Sequence, residues 1–101
     1  MLIAVAANKK LHAQSFNCRY AHHPDEKLIC KDPALAKLDE KLASVYRRLI
    51  LRLPRGEGER LDRDEEAFVV ARRHCGKQRA CIEQKYRDRI RELEQALGNY
   101  E

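Results

Sequence analysis

Cysteine is the residue type whose spacing in this chain says most about chemistry. Four of them stand at Cys18, Cys30, Cys75 and Cys81, and His22, His23 and His74 lie close by in sequence. Such a set could make a metal centre, a redox dithiol or a disulfide framework. The Cys-x11-Cys and Cys-x5-Cys spacings lack the tight knuckles that hold zinc, and no Cys-x-x-Cys occurs, so neither a metal site nor an active dithiol is expected. An even count in a short chain favours disulfides made in an oxidising compartment. Four cysteines allow three pairings and the sequence excludes none; the expectation is local pairing, Cys18 with Cys30 and Cys75 with Cys81. The second bond demands a break in the chain. In an unbroken helix residues 75 and 81 would stand about 9 Å apart along the axis, too far for a disulfide, so Gly76 is expected to turn the backbone. By loop-closure entropy each bond is worth about 2 to 3 kcal/mol, a large share of a small domain's stability.

Other chemistry is hard to find. The chain has no Gly-rich phosphate loop, no His-Glu-x-x-His and no serine in a nucleophile elbow. The carboxylate pairs Asp25-Glu26 and Glu65-Glu66 are adjacent, and neighbours on a helix point about 100° apart, so they read as solvated charge and not as acid/base partners. A domain of this size is also expected to leave little room for a concave pocket. The expectation is a binder without catalytic residues, metal or cofactor.

The scaffold that must position these residues is small, since 101 residues allow one domain with one modest core. Hydrophobic residues make up 44% and charged residues 37%, without Trp and with few Gly and Pro, which favours helices with one wet face and hence an all-α fold. No apolar run approaches the roughly 20 residues of a membrane span. The net charge is +5 and the pI about 9.2, a balance that invites nucleic acid. Basic and acidic residues interleave, however, as in Asp39-Glu40-Lys41 and Arg60 to Glu66, which reads as solvated helix faces, so nucleic acid is not the expected partner.

Residues 1–14 are read as a leader remnant or a disordered arm, ahead of a single helical, disulfide-bonded domain over residues 15–101. Leu2-Ile-Ala-Val-Ala-Ala7 is a short apolar run and Leu11-His12-Ala13 looks like a small-residue cleavage site before Gln14. Asn8-Lys9-Lys10 interrupts where a leader stays uncharged, which makes it a truncated, mis-started or engineered leader. Without Lys9 and Lys10 the remainder carries +3. No lipid-attachment box precedes Cys18, so no lipid anchor is expected.

About four helices follow, one short and three longer. After an irregular arm from Ser15 to His23, Pro24-Asp25-Glu26 starts a short helix to about Cys30. Asp32 then caps a long helix in which Leu35, Leu38, Leu42, Val45, Leu49 and Leu53 recur at steps of three and four. Pro54 to Gly58 is expected to be a loop. A third helix runs from about Glu59 to His74, placing Leu61, Phe68, Ala71 and Cys75 on one face. After Gly76 a fourth helix carries Ile82, Tyr86, Ile90, Leu93 and Leu97, until Gly98 stops it.

With cysteines and helices placed, two motifs stand out. The first is Phe16-x-Cys18 followed by Glu26-x-x-Ile29-Cys30-x-Asp32-Pro33-x-Leu35-x-x-Leu38-Asp39-x-x-Leu42-Ala43-x-x-Tyr46; the second is Arg72-x-x-Cys75 followed by Cys81-Ile82-x-x-x-Tyr86-x-x-Arg89-Ile90-x-x-Leu93. Together they span most of residues 16–93, and the combination resembles the LprI-type lysozyme-inhibitor family of small exported bacterial domains. Phe68 stands where that family commonly carries Trp, and Glu65 where Gln is frequent. The resemblance implies an all-helical fold, disulfides, a periplasmic or secreted location and, for some members, a lysozyme partner. Tyr46, Arg72, Tyr86, Arg89 and Phe68 are then structural, either in the core or bridging helices.

Charge sets a condition on that implication. Common animal lysozymes are strongly basic, so a net-positive partner is slowed in encounter unless it has a local acidic patch or an arginine that enters the cleft. Arg55, in the expected Pro54–Gly58 loop, is the candidate arginine. Two other functions stay open: a basic binder of nucleic acid or another anionic polymer, and a surface or antigenic protein with no enzyme target.

Overall fold

Proline and aspartate decide where the first two helices begin. In the computed structural model, which describes residues 16–101, Pro24 opens α1 (Pro24–Lys31), its missing N–H falling where a helix has no internal acceptor to lose. The Glu26 carboxylate turns back to accept from the backbone N–H groups of His22 and His23. Asp32 ends α1 and caps α2 (Pro33–Ile50), accepting from the N–H of Ala34 at 3.0 Å and of Leu35 at 3.2 Å, with Pro33 first in the helix. Before α1, a single 3-10 turn over Cys18–Tyr20 closes the irregular arm. Residues 1–14, read from the sequence as a leader remnant, lie outside the described residues.

α2 stops at Ile50, a turn earlier than the leucine periodicity suggests, because a helical Pro54 would collide with the Ile50 carbonyl. Leu53 still packs on the core from the connection. The expected loop over Pro54–Gly58 is corrected by the structure: the connection is Leu51–Pro54, and α3 (Arg55–Arg73) begins at once, with Gly56 and Gly58 in its first turn. Glycine costs a helix about 1 kcal/mol of propensity, but the first turn needs few internal hydrogen bonds, and the Gly58 N–H already reaches the Pro54 carbonyl at 2.9 Å. A Cβ on Gly58 would meet Ile50 Cδ1 at 3.4 Å, an ordinary contact, so the start of α3 lies beside the end of α2 without requiring glycine there. Gly76, at φ +58°, turns the chain left-handed between α3 and α4 (Arg79–Gly98). Gly98 is the last helical residue, and α4 ends without a left-handed cap.

The fold is all-α, four helices, one short and three longer, with no strand among the described residues. α2 and α4 form the principal interface; α1 packs on α2 and α3, and α3 on α4. The thinnest dimension, 20 Å, is two helix diameters. Leu35, Leu42, Val45 and Leu49 of α2 face Ile82, Tyr86, Ile90, Leu93 and Leu97 of α4, and Ile29, Leu61, Phe68 and Cys75 complete the core. α2 and α3, although joined by a short connection, touch little along their lengths. Among the described residues no helix is long and apolar enough to cross a membrane.

Both disulfides are local. Cys18–Cys30 straps the arm to α1 and Cys75–Cys81 closes the turn between α3 and α4, with Cα separations of 5.9 and 5.6 Å. Peptide mapping of unreduced protein should therefore recover two cross-linked fragments, 18 to 30 and 75 to 81, and reduction should add the mass of four hydrogens. Replacing either pair with alanine should lower the unfolding free energy by about 2 to 3 kcal/mol, read from urea titration.

Candidate functional site

Charged side chains enclosed in so small a core need a reason. Asp25 and Asp39 are fully buried, Arg72 is 2% exposed and Tyr86 is fully buried. These four come one from each helix and form a single chain of contacts. Arg72 Nε of α3 donates to Asp25 Oδ2 of α1 at 2.6 Å, and its Nη1 donates to the Tyr86 hydroxyl of α4 at 3.2 Å. Tyr86 in turn donates to Asp39 Oδ1 of α2 at 2.7 Å. Aromatic rings close the set: Phe16 and Phe68 lie 5.4 and 5.9 Å from the guanidinium carbon, and Phe68 meets Tyr86 edge-on at 5.3 Å.

Electrostatics follow from this enclosure. Burial, and then Asp39, push the Tyr86 hydroxyl far above its ordinary value, so it keeps its proton and donates it. Desolvation opposes the charge on Arg72, but Tyr86 and Asp25 outweigh it and the guanidinium is held more firmly protonated than usual. Because the hydroxyl and both carboxylates are shut away from solvent, the network fastens helices and presents no atom to a ligand.

Two of the expectations fail here. Asp25-Glu26 and Asp39 read as solvated charge in the sequence, yet Asp25 and Asp39 are interior and Glu26 is 9% exposed. The signal lay in helical spacing: Asp25 stands four before Ile29, Asp39 sits between Leu35 and Leu42, and Arg72 stands four after Phe68, each on its helix's apolar stripe. The second failure concerns concavity. Where α2 and α3 diverge they leave an open groove of about 550 Å³, lined by Leu42, Ala43, Tyr46 and Arg47 from α2 and by Asp62, Glu65, Glu66 and Val69 from α3. Chain length gives no sign of it, because it arises where two connected helices make few contacts with one another.

Among the residues singled out in the sequence, Tyr46 lines this groove half-buried, while Arg72, Tyr86 and Phe68 belong to the interior network. Arg89, 8% exposed, bridges α4 to α3 by donating to Glu65 Oε1 at 3.0 Å and also holds Glu92. Burial pushes the Glu65 carboxyl above its ordinary value, an effect Arg89 offsets only in part. Arg55 is exposed as the first residue of α3, outside the groove. A smaller cleft of about 360 Å³ carries the opposite charge, with Lys27, Lys31 and Lys77 around Pro24 and Leu28. Among the described residues no group of three or more His, Cys, Asp and Glu is placed to hold a metal ion.

No family model, curated protein or solved structure matches this chain.

Two predictions come from the interior. Arg72→Ala leaves a carboxylate buried without its cation and should cost about 3 to 5 kcal/mol, whereas Tyr86→Phe removes two hydrogen bonds and should cost about 1 to 3 kcal/mol, both read by urea unfolding. For Glu65, whose value in the fold lies above its unfolded one, the native state binds the extra proton between the two. Stability should fall as pH rises through that window, and Glu65→Gln should flatten this part of the pH profile of the unfolding midpoint.

Proposed function

We propose that this chain is an exported bacterial binding protein, acting by occupancy and not by catalysis, whose most specific form is inhibition of lysozyme. One observation supports this above others: four helices are fixed by a buried network and two local disulfides, yet a wide groove is left open between two of them. A rigid scaffold with an open concave face loses little freedom on docking, which is what a protein ligand rewards. Export is supported by the cysteines, all four of them paired. Lysozyme enters through the resemblance carried by Phe16, Cys18, Cys30, Asp32, Tyr46, Arg72, Cys75, Cys81, Tyr86 and Arg89. The acidic side of the groove meets the condition that a net-basic inhibitor of a basic enzyme needs a local negative face.

Purified, disulfide-bonded protein should slow the lysis of peptidoglycan by lysozyme in proportion to its concentration, and reduction should abolish the effect. Absence of any effect at excess protein, across several lysozyme types, rejects the inhibitor reading. Salt-sensitive retention on heparin in that case would favour a binder of anionic polymers through the lysine cleft instead.

A further inference from the structure

The groove between α2 and α3 combines an apolar floor with a one-sided charge. Leu42 and Ala43 come from α2 and Val69 from α3, so the floor is shared by two helices that do not close on one another. Along the rim, Asp62 and Glu66 stand one helical turn apart and, like Glu40, Glu59 and Asp64 outside the groove, make no hydrogen bond or ion pair with another described residue, whereas Glu26, Asp32, Glu83, Glu94 and Glu101 are paired. From Glu57 to Glu66 the chain carries six carboxylates against two arginines, within a protein of net charge +5. Negative charge is thus gathered along the α3 side of a groove whose apolar lining comes from both helices. An incoming cation would displace no internal partner from Asp62 or Glu66.

Resting on the reading of the chain as a binding protein, we infer that this groove docks a cationic, partly apolar segment of a protein partner. Lysine or arginine side chains of that segment meet Asp62 and Glu66, while an aliphatic or aromatic neighbour sits on the half-buried Ala43, Tyr46 and Val69. Charge complementarity selects this occupant: the acidic rim repels a phosphate backbone, and a purely apolar segment would leave two carboxylates unanswered.

The test uses the full disulfide-bonded chain and an amphipathic Lys/Leu peptide of about 18 residues, with a Lys/Ser peptide of equal charge as comparison. NMR shift changes on adding the Lys/Leu peptide should centre on Ala43, Tyr46 and Val69. Asp62→Lys combined with Glu66→Lys should weaken binding by about tenfold or more, and the Lys/Ser peptide should bind weaker by a similar factor. The equally charged change Asp88→Lys with Glu94→Lys, on exposed parts of α4, should have a much smaller effect. Shifts centred elsewhere, equal binding of the two peptides, equal loss from both double variants, or sedimentation showing self-association through the groove would each overturn the proposal. Lysozyme separates this inference from the reading beneath it. Peptide docking without lysozyme inhibition rejects the inhibitor reading and keeps the groove; inhibition undiminished by Asp62→Lys with Glu66→Lys keeps the inhibitor and overturns the groove.

Discussion

A guanidinium with 2% of its surface exposed must be answered on all sides, and that requirement organises this molecule. Arg72 can be satisfied only when α1 brings Asp25 and α4 brings Tyr86, and Tyr86 is satisfied only when α2 brings Asp39. Each helix therefore has one rotation and one height at which the set closes. Hydrophobic burial is non-directional and would tolerate slippage of one leucine stripe along another; a fixed chain of hydrogen bonds would not. Buried ion pairs roughly balance their own desolvation, so the network adds more to the choice of arrangement than to net stability. Apolar packing and the two disulfides supply the free energy, while the polar set decides which packing is reached.

The fold is readable from local signals. Asp32-Pro33 and Pro24 mark helix starts by satisfying or omitting specific N–H groups, and the alternating leucines of α2 mark a buried stripe. The disulfide pairing is legible only as one of three possibilities; what the spacing dictates is that a bond between Cys75 and Cys81 needs the turn that Gly76 makes. Pro54–Gly58 is the exception, because its glycines suggest a loop. Helix propensity is a weak prior in a first turn that Pro54 preorganises and that packs on Ile50. The site is less legible. Asp39 looks solvated beside Glu40 and Lys41, although its spacing from Leu35 and Leu42 points inward. The groove depends on how two helices splay, which no run of residues encodes; it follows from Arg72 and Arg89 of different helices drawing α3 toward α1 and α4.

Splaying and stapling are two sides of one arrangement. α3 is committed to α1 through Asp25 and to α4 through Phe68, Arg89 and the 75–81 disulfide, and these ties draw it away from α2. The uncovered strip is where Asp62 and Glu66 lie. A small net-basic domain can thus keep acids free on this strip while others, Glu26, Asp32 and Glu83 among them, are held in ion pairs.

The ring of Phe16 works as a stopper over the buried cation, and the Cys18–Cys30 bond is the cord that keeps it seated. The opposite terminus is held by exposed contacts of Glu101 with Arg48 and Arg52, far from the guanidinium in the chain of contacts. Losing the Phe16 ring would uncap the interior, whereas losing Glu101 would free only two surface arginines.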